Sequence, residues 1–408
     1  MNRLSRVVRK TFISLRNRNF RLYFSGQLIS NTGNWLTNVA LVLLVLKLTR
    51  SGLAVGVLAA CQFGPILLLS AYGGALADRS DKRHLLLVTQ SLEMIQSIGL
   101  AILAFAPHQS LGALYGLAVF GGILLAFDNS LRRSFVSEMV RADDIPNAVV
   151  LYSTTVNVSR IFGPALAGVL VVTLGYGWCF SIDAATYVAV LVCLYLMRPA
   201  ELHRDRPRPR VSGEVRAGVR YVLSKPVLWI SFVMLAAVGT LSYNFTVTIP
   251  LLVFKAFHQA DTAYTILFSV FSFGAVISAL IVANRRLVRM GHIVFGALAM
   301  GLTMVALAFV PGVAVAVPAV FLVGMAAVLY STATTTMVQL ESKPEMRGRV
   351  LSLQTVLLIG TTPIGGPLLG WLADATGGRV PVLVGGIVSV LAGVFGYVAS
   401  RRHPPVLE

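Results

Sequence analysis

Long apolar stretches with few charged residues dominate this 408-residue sequence. A helix that crosses a membrane needs about 20 consecutive apolar residues, and an ionised side chain in lipid costs several kcal/mol. Hydrophobic residues make up 56% of the chain and charged residues only 12%, about half the charged fraction of a soluble domain. An ordinary cytosolic protein is therefore excluded, and little length remains for a large soluble domain.

Charge-free runs and turn residues predict twelve membrane spans. The first six lie near residues 22–46, 51–77, 85–107, 111–131, 148–174 and 179–197. The uncharged stretch 290–340 is too long for one helix, and Pro311-Gly312 with Pro318 divides it in two. With that division, the second six lie near residues 227–254, 263–284, 350–373 and 380–400, with helices nine and ten sharing 290–340. The predicted fold class is an all-α membrane protein of twelve transmembrane helices.

The Lys and Arg residues test this count, because short cytoplasmic loops carry an excess of both. Placing both termini in the cytoplasm puts 29 of the 34 Lys and Arg residues on that side. The outer loops then hold only Lys47, Arg50, Lys255 and Arg379, and Arg160 lies within a span. Topology thus explains the net charge of +18, including the RDRPRPR run, and we expect no nucleic-acid partner.

The sequence is organised as a duplication. We predict an N-terminal arm with six helices over residues 1–197, a cytoplasmic linker over 198–225, and six further helices with a short tail over 226–408. With a shift of 203 residues, segment 137–168 aligns with 340–370, and Gly163-Pro164 meets Gly366-Pro367. A parallel repeat of two six-helix bundles is a transporter architecture, with the substrate path at the interface of the halves.

The short loop after the second span reads GGALADRSDKR (73–83). A glycine near the helix end allows close helix approach, the Asp can face a helix N-terminus, and the basic residues anchor the loop at the inner surface. The pattern resembles the signature loop of the major facilitator superfamily, and the resemblance implies a gating role for Gly74, Asp78, Arg79, Lys82 and Arg83. One departure is Asp81, where the family usually has Gly, so we expect a less tight turn.

Segment 126–168 resembles the bacterial twelve-helix drug antiporters related to macrolide efflux proteins and the enterobactin exporter. Ser130 replaces a Pro of the family pattern, which predicts a straighter helix end. The GPALAG segment resembles the glycine-proline element on helix five of antiporters, here Asn157, Gly163, Pro164 and Gly168. The resemblance implies the major facilitator fold, export rather than import, and a monomer in the bacterial cytoplasmic (inner) membrane. Small residues and Pro also occur at purely structural helix crossings.

Four charged residues lie inside predicted spans: Glu93, Asp128, Arg160 and Asp183. One interpretation is a static ion pair of Asp128 or Glu93 with Arg160. The other is proton exchange at a carboxylate next to Arg160, since burial favours the neutral acid and a nearby cation favours the carboxylate. The family carries an Asp at the position of Asp128, which favours that residue as the proton carrier. Asp183, nearer the outer face, would be a water-exposed accessory.

Polar and aromatic residues occupy comparable places in the first and seventh spans. Apolar walls with a few polar anchors suit a bulky amphipathic ligand, which makes substrate-binding candidates of Asn34, Trp35, Asn38, Tyr243 and Asn244. Alternatively, Trp35 and Tyr243 are aromatic residues of the membrane interface.

These features favour a proton-coupled exporter of drugs or siderophore-like small molecules that works by alternating access. The alternatives are an uncoupled facilitator or lipid flippase, and a membrane scaffold or sensor without transport. The sequence contains no G-x-x-x-x-G-K-[ST] loop, so we expect no ATP coupling. We likewise expect no enzyme activity, cofactor or metal, and the three cysteines are too scattered for a disulfide framework.

Overall fold

The computed structural model describes residues 12–203, 214–283 and 289–402. All regular elements within these ranges are helical. Twelve segments of the described chain are long and apolar enough to cross a membrane, which confirms the predicted number of spans.

In the described part of the first half, six α-helices correspond to the six spans. They are α1 (Arg18–Thr49), α2 (Gly52–Arg79), α3 (Lys82–Phe105), α4 (Leu111–Glu138), α5 (Ile145–Thr173) and α6 (Tyr176–Tyr195). Asp81 begins α3 by accepting a hydrogen bond from the His84 amide at 3.1 Å, and Ser110 caps α4 in the same way. Helix α4 continues to Glu138, well past its predicted end near residue 131.

The described residues of the second half form nine α-helices, because one helix precedes the seventh span and two of the six spans are broken. Helix α7 (Glu214–Ser224) precedes the seventh span, which consists of α8 (Pro226–Leu241), α9 (Phe245–Leu251) and a π-helical turn at Leu252–Ala256. Then follow α10 (Asp261–Ala283), α11 (Met290–Phe309), α12 (Val313–Glu341), α13 (Pro344–Leu358), α14 (Thr362–Thr376) and α15 (Arg379–Arg402). The eleventh span comprises α13 and α14, and both broken spans differ from the continuous helices that the sequence predicts.

The chain packs as two compact units. One combines the residues up to Leu41 with Leu68–Arg210, and the other combines Val42–Leu67 with the residues from Val211 onward. The hairpin formed by the end of α1 and the start of α2 (Val42–Leu67) therefore belongs to the second unit. Consequently, α1 and α2 each contribute residues to both units.

Backbone geometry repeats between the two halves. Of the residues described, four have positive φ: Arg50 (52°), Gly175 (88°), His258 (53°) and Gly377 (94°). Arg50 and His258 lie in the turns after the first and seventh spans, and the two glycines lie in the turns after the fifth and eleventh. Helix packing repeats as well, since α3 contacts α4 and α6 while α11 contacts α12 and α15. These matches support the internal duplication.

Candidate functional site

A buried group of three charged side chains lies between α3 and α4. Asp128 and Arg132, one turn apart on α4, form an ion pair. The Nη2 atom of Arg132 also lies 3.3 Å from Oε2 of Glu93 on α3. The side chains of Glu93, Asp128 and Arg132, here called the charged cluster, are 5%, 0% and 8% exposed. With all three ionised, the cluster carries one excess negative charge.

Neutral polar side chains surround the charged cluster. Asp128 accepts hydrogen bonds at Oδ1 from Thr89 (3.1 Å) and Gln90 (2.9 Å) on α3, and Gln90 also donates to Glu93 at 3.0 Å. From the other side, Arg132 donates to the side-chain oxygens of Gln27 and Asn31 on α1. Three helices thus meet through Arg132.

Several atoms of this polar group have unused hydrogen-bonding capacity. Within the described residues, the buried Nε2 of Gln27, Nδ2 of Asn31 and Oε1 of Gln90 have no hydrogen-bond partner. A buried polar group left unpaired costs about 1–3 kcal/mol, and such groups in native proteins are commonly explained by water, an ion or catalytic use. The charged cluster can therefore bind water or a polar ligand group without breaking its existing bonds.

Polar residues continue along one face of α1. Gln27, Asn31, Asn34 and Asn38 follow one another at helical spacing, and Asn34 Nδ2 lies 3.4 Å from the Tyr187 hydroxyl on α6. Asn38 donates to the Asn34 side chain at 2.9 Å. The sequence pattern predicts Asn34 and Asn38 as binding candidates, but Gln27 and Asn31 are missed. Extending the same spacing two turns toward the N-terminus reaches first Asn31 and then Gln27.

Asp183 on α6 occupies a second polar centre. Its Oδ2 accepts hydrogen bonds at 2.7 Å from Thr37 on α1 and from Ser97 on α3, and Thr186 lies one turn further along α6. Asp183 is 1% exposed. The expectation of a water-exposed accessory is therefore wrong, because three hydroxyl groups enclose this carboxylate. Gln27, at the charged cluster, and Thr37, at Asp183, lie about 15 Å apart along α1. One helix therefore contacts both polar centres.

The arginine that pairs with the carboxylates is not the one the sequence suggests. The sequence pattern predicts Arg160 beside Asp128 or Glu93, with Arg132 among the loop charges. In the structure, Arg132 is buried on α4 and binds both carboxylates. The guanidinium carbon of Arg160 instead lies 5.5 Å from the centre of the Trp35 ring, within cation–π range.

The glycine-proline element holds α5 against α1. A Cβ atom at Gly163 would overlap the Cβ of Trp35 and approach the Thr32 carbonyl oxygen to 3.0 Å, so only glycine allows this approach. Pro164 lies inside α5, and Gly168 is buried on the same helix. The side chain of Asn157 lies outside the described part of the structure.

The loop between α2 and α3 is anchored by its basic residues. Lys82 forms a buried ion pair with Glu138 at the end of α4. Arg83 donates to the carbonyl oxygens of Leu194 (2.9 Å) and Tyr195 (3.1 Å) at the end of α6, where a cation is favourable. Asp81, which departs from the family pattern, serves as the N-cap of α3. Gly74, Asp78 and Arg79 belong to α2, but their surroundings lie outside the described part of the structure.

In the second unit, Tyr243 and Asn244 lie at the break between α8 and α9. Asn244 donates to the free carbonyl oxygens of Thr240 (2.7 Å) and Gly239 (3.3 Å). Its buried Oδ1 has no partner among the described residues. Tyr243 stays partly exposed, with its ring 5.2 Å from that of Phe245. Broken spans with free backbone groups form substrate and ion sites in many transporters, so this break is a second candidate region.

A carboxylate network holds the first turn of α2 against α14. The side chain of Asp374, on α14, accepts hydrogen bonds from the amides of Gly52 (2.6 Å) and Leu53 (3.0 Å) and from the Ser51 hydroxyl (2.6 Å). Lys255 lies 2.6 Å from the same carboxylate. A carboxylate at a helix N-terminus interacts favourably with the helix dipole. The charge pattern of the sequence indicates only a loop charge at Lys255, and it does not predict a role for Asp374.

Glycines bring the two backbones together beside this network. A Cβ atom at Gly56 would overlap the Gly366 carbonyl group, and one at Gly370 would overlap that of Gly52. Such close packing leaves no room for a side chain at these positions. The α2–α14 contact is thus both polar and tightly packed.

Solved structures with this fold are major facilitator transporters. A peptide transporter of the POT family in complex with sulfate matches with a TM-score of 0.79 at 13% identity, covering 95% of each chain. A bacterial homolog of the human lysosomal transporter Spinster, in an inward-facing and unoccupied conformation, matches with a TM-score of 0.73 at 16% identity. It covers 94% of this chain and 97% of that chain. The predicted fold, twelve helices in two six-helix repeats, is confirmed.

The model of the transmembrane secretion effector family, a branch of the major facilitator superfamily, matches residues 9–404, and the chain belongs to this family. The Staphyloferrin A transporter of Staphylococcus aureus is 24% identical over 95% of this chain and 98% of its own length. The Enterobactin exporter EntS of Citrobacter koseri is 25% identical, covering 95% of this chain and 94% of the exporter. The protein is therefore a multi-pass bacterial membrane transporter.

Proposed function

We propose that this protein is a proton-driven exporter of siderophores or similar amphipathic small molecules. It works as a monomer in the bacterial cytoplasmic membrane, with both termini in the cytoplasm. Relatives named as siderophore transporters support the substrate class. The distribution of Lys and Arg supports the orientation.

The charged cluster carries the proposal. Two carboxylates share one guanidinium in a buried site, and an uncompensated charge there is costly. Binding one proton makes the cluster neutral, so the cluster can load a proton in one state and release it in another. The unpaired amide groups of Gln27, Asn31 and Gln90 provide places for water to carry that proton.

The hydrogen bonds distinguish the two carboxylates. Asp128 accepts bonds from Arg132, Thr89 and Gln90, all of which stabilise its ionised form. Glu93 accepts from Gln90 at 3.0 Å and from Arg132 at 3.3 Å. We infer that Glu93 takes the proton while Asp128 keeps Arg132 in place. This reverses the preference for Asp128 that the family resemblance suggests.

Helix α1 connects the proton site with the conformational change. Its Gln27 and Asn31 bind Arg132 in the first unit, while residues from Val42 onward pack with the second unit. A proton on Glu93 weakens one of the bonds of Arg132 and so alters its hold on α1. Release of the Asp374 network then lets the α1–α2 hairpin leave α14, which opens the outer side for substrate release.

A static role for the cluster is the competing hypothesis. The pairing of Asp128 and Arg132 on one turn of α4 favours it, since such a pair needs no second helix. In that case the protein is an uncoupled facilitator, and the substrate moves only down its own gradient. Glu93 contacts Arg132 from another helix, α3. Substitution of Glu93 therefore distinguishes the two hypotheses.

A secretion experiment tests the proposal. A bacterial strain that makes enterobactin but lacks its own exporter expresses the full chain, and enterobactin is measured in the medium and in the cells. We expect Glu93→Gln to abolish secretion at wild-type protein level, because an amide cannot titrate. The exposed residues Glu345 and Asp143 supply matched controls, Glu345→Gln and Asp143→Asn, which should secrete normally. Full secretion by Glu93→Gln would contradict the proposal.

A further inference from the structure

Helix α7 lies at the boundary of the membrane. It ends at Ser224, and the seventh span begins at Pro226, so its C-terminal end cannot lie far from the lipid surface. Val222 belongs to a buried cluster with Val338 and Val350, which packs α7 against α12 and α13 within the second unit. One face of α7 is thus fixed to the protein.

Another face of α7 is exposed and alternates cationic with aliphatic residues. Arg216, Val219, Arg220 and Leu223 follow one another at steps of three, one and three residues, which places them in one stripe on the helix. Val219 is 42% exposed and Leu223 is 67% exposed, and both arginines are exposed. Within the described residues, neither guanidinium has a carboxylate within 4.0 Å. The cations are therefore available to an external anion.

A groove of about 610 Å³ opens beside the two arginines. It is lined by Arg216, Ala217, Arg220, Tyr221, Ser224 and Met346. The wall formed by Tyr221 is fixed, because its hydroxyl accepts a hydrogen bond from the Lys343 amide at 3.0 Å and Ser224 donates to its carbonyl oxygen at 2.7 Å. The volume is within the range of small-molecule sites, about 300–1,000 Å³.

We propose that this groove binds the head group of an anionic phospholipid. The phosphate lies between Arg216 and Arg220, since guanidinium groups bind phosphate oxygens bidentately. The lipid chains lie along Val219 and Leu223 toward the membrane. Basic residues directly flanking a span attract anionic lipids, and the aliphatic residues in the same stripe favour a lipid over free phosphate. This binding is independent of proton coupling and of the transported substrate.

Native mass spectrometry of the full-length protein in detergent tests the site. Equal amounts of phosphatidylglycerol and phosphatidylcholine are added, and the lipid retained by each variant is counted. We expect selective retention of phosphatidylglycerol, with affinity reduced about 25-fold in Arg216→Gln/Arg220→Gln, since each arginine near an anionic surface contributes about fivefold. Arg401 and Arg402 are exposed cations that also flank a span but do not line the groove. The matched control Arg401→Gln/Arg402→Gln should therefore keep phosphatidylglycerol in the groove like the wild type.

Two further arms identify the ligand. Val219→Ser/Leu223→Ser should also lower retention, and excess inorganic phosphate should not displace the lipid. Equal retention of both lipids, loss of the same size in the Arg401/Arg402 control, or unchanged retention in Arg216→Gln/Arg220→Gln would overturn the proposal. Displacement by inorganic phosphate would show an anion site without lipid selectivity and would overturn it too. Because the substituted side chains are exposed, a single gel-filtration peak is expected for every variant.

Discussion

Replacing Arg132 by Met tests the charged cluster most severely. The substitution removes the guanidinium but keeps an unbranched chain of similar length, so the volume of the site changes little. Glu93 and Asp128 then lose their cationic partner in a site where all three side chains are at most 8% exposed. Gln27 and Asn31 lose their donor as well.

The magnitude follows from the burial. Removing one partner of a buried ion pair costs about 3–5 kcal/mol, and the low exposure means that water screens little of this loss. By contrast, replacing a whole buried ionic group by well-packed hydrophobic residues of similar volume is often neutral or even stabilising by about 1–4 kcal/mol. Asn and Gln are polar but uncharged, so Arg132→Met should be strongly destabilising alone and less destabilising in combination with Asp128→Asn and Glu93→Gln, which remove the unpaired charges.

The free energy of unfolding can be measured by titrating SDS into mixed micelles at several pH values. The coupling energy between the Arg132 and carboxylate substitutions follows from a thermodynamic cycle. The deficit of Arg132→Met should shrink as the pH falls, since protonation removes the unpaired negative charges. Arg160→Met is the matched control and should cost less, because a cation–π contact is worth about 0.5–2 kcal/mol.

The reasoning about the cluster fails if Arg132→Met unfolds like the wild type. It also fails if Asp128→Asn with Glu93→Gln does not rescue it, or if Arg160→Met is the more destabilised of the two.

Three other predictions concern helix contacts and topology. Gly163→Ala should lower the free energy of unfolding by about 1–3 kcal/mol, because the new methyl group overlaps Trp35; Gly116→Ala, with nothing within 4 Å, should not, and equal losses would refute the close contact. Asp374→Asn should weaken the contact between α14 and α2 by about 0.3–2 kcal/mol. Spin labels at the exposed positions Leu53 and Thr376 should then show longer distances, and an unchanged distance distribution would contradict a gating role for Asp374. In a variant without native cysteines, an impermeant thiol reagent added to intact cells should label Arg50→Cys but not Glu345→Cys, and the reverse pattern would invert the proposed orientation.

The number of spans is predictable from the sequence because the cost of an ionised group in lipid depends mainly on the residue itself. The depth at which a charged residue lies in the membrane is less predictable when that residue forms an ion pair. Arg132 and Arg133 look like loop charges after the fourth span, yet α4 continues to Glu138 and buries Arg132. The sequence did carry a signal for this ion pair, because Asp128 precedes Arg132 by four residues, the spacing at which side chains on a helix are neighbours.

Contacts between distant segments are harder to predict. Whether Asp374 meets the start of α2, more than 300 residues earlier, depends on how the helices pack. The break at Tyr243–Asn244 also involves contacts that the residue pattern does not show, since Asn244 donates to the carbonyl oxygens of Gly239 and Thr240 at the end of α8. By contrast, the contact of Gly163 with α1 agrees with the glycine-proline element read from the sequence.

The central claim, that a proton on the charged cluster drives export, is tested most directly by transport assays in everted membrane vesicles supplied with radiolabelled enterobactin. Uptake driven by a pH gradient and exchange without a gradient are measured on the same vesicles. Wild-type vesicles should accumulate the label when a gradient is imposed and lose that accumulation with a protonophore. Vesicles with Glu93→Gln should fail to accumulate the label yet exchange it at a rate similar to the wild type. Gradient-driven accumulation by Glu93→Gln vesicles at the wild-type level would contradict the account.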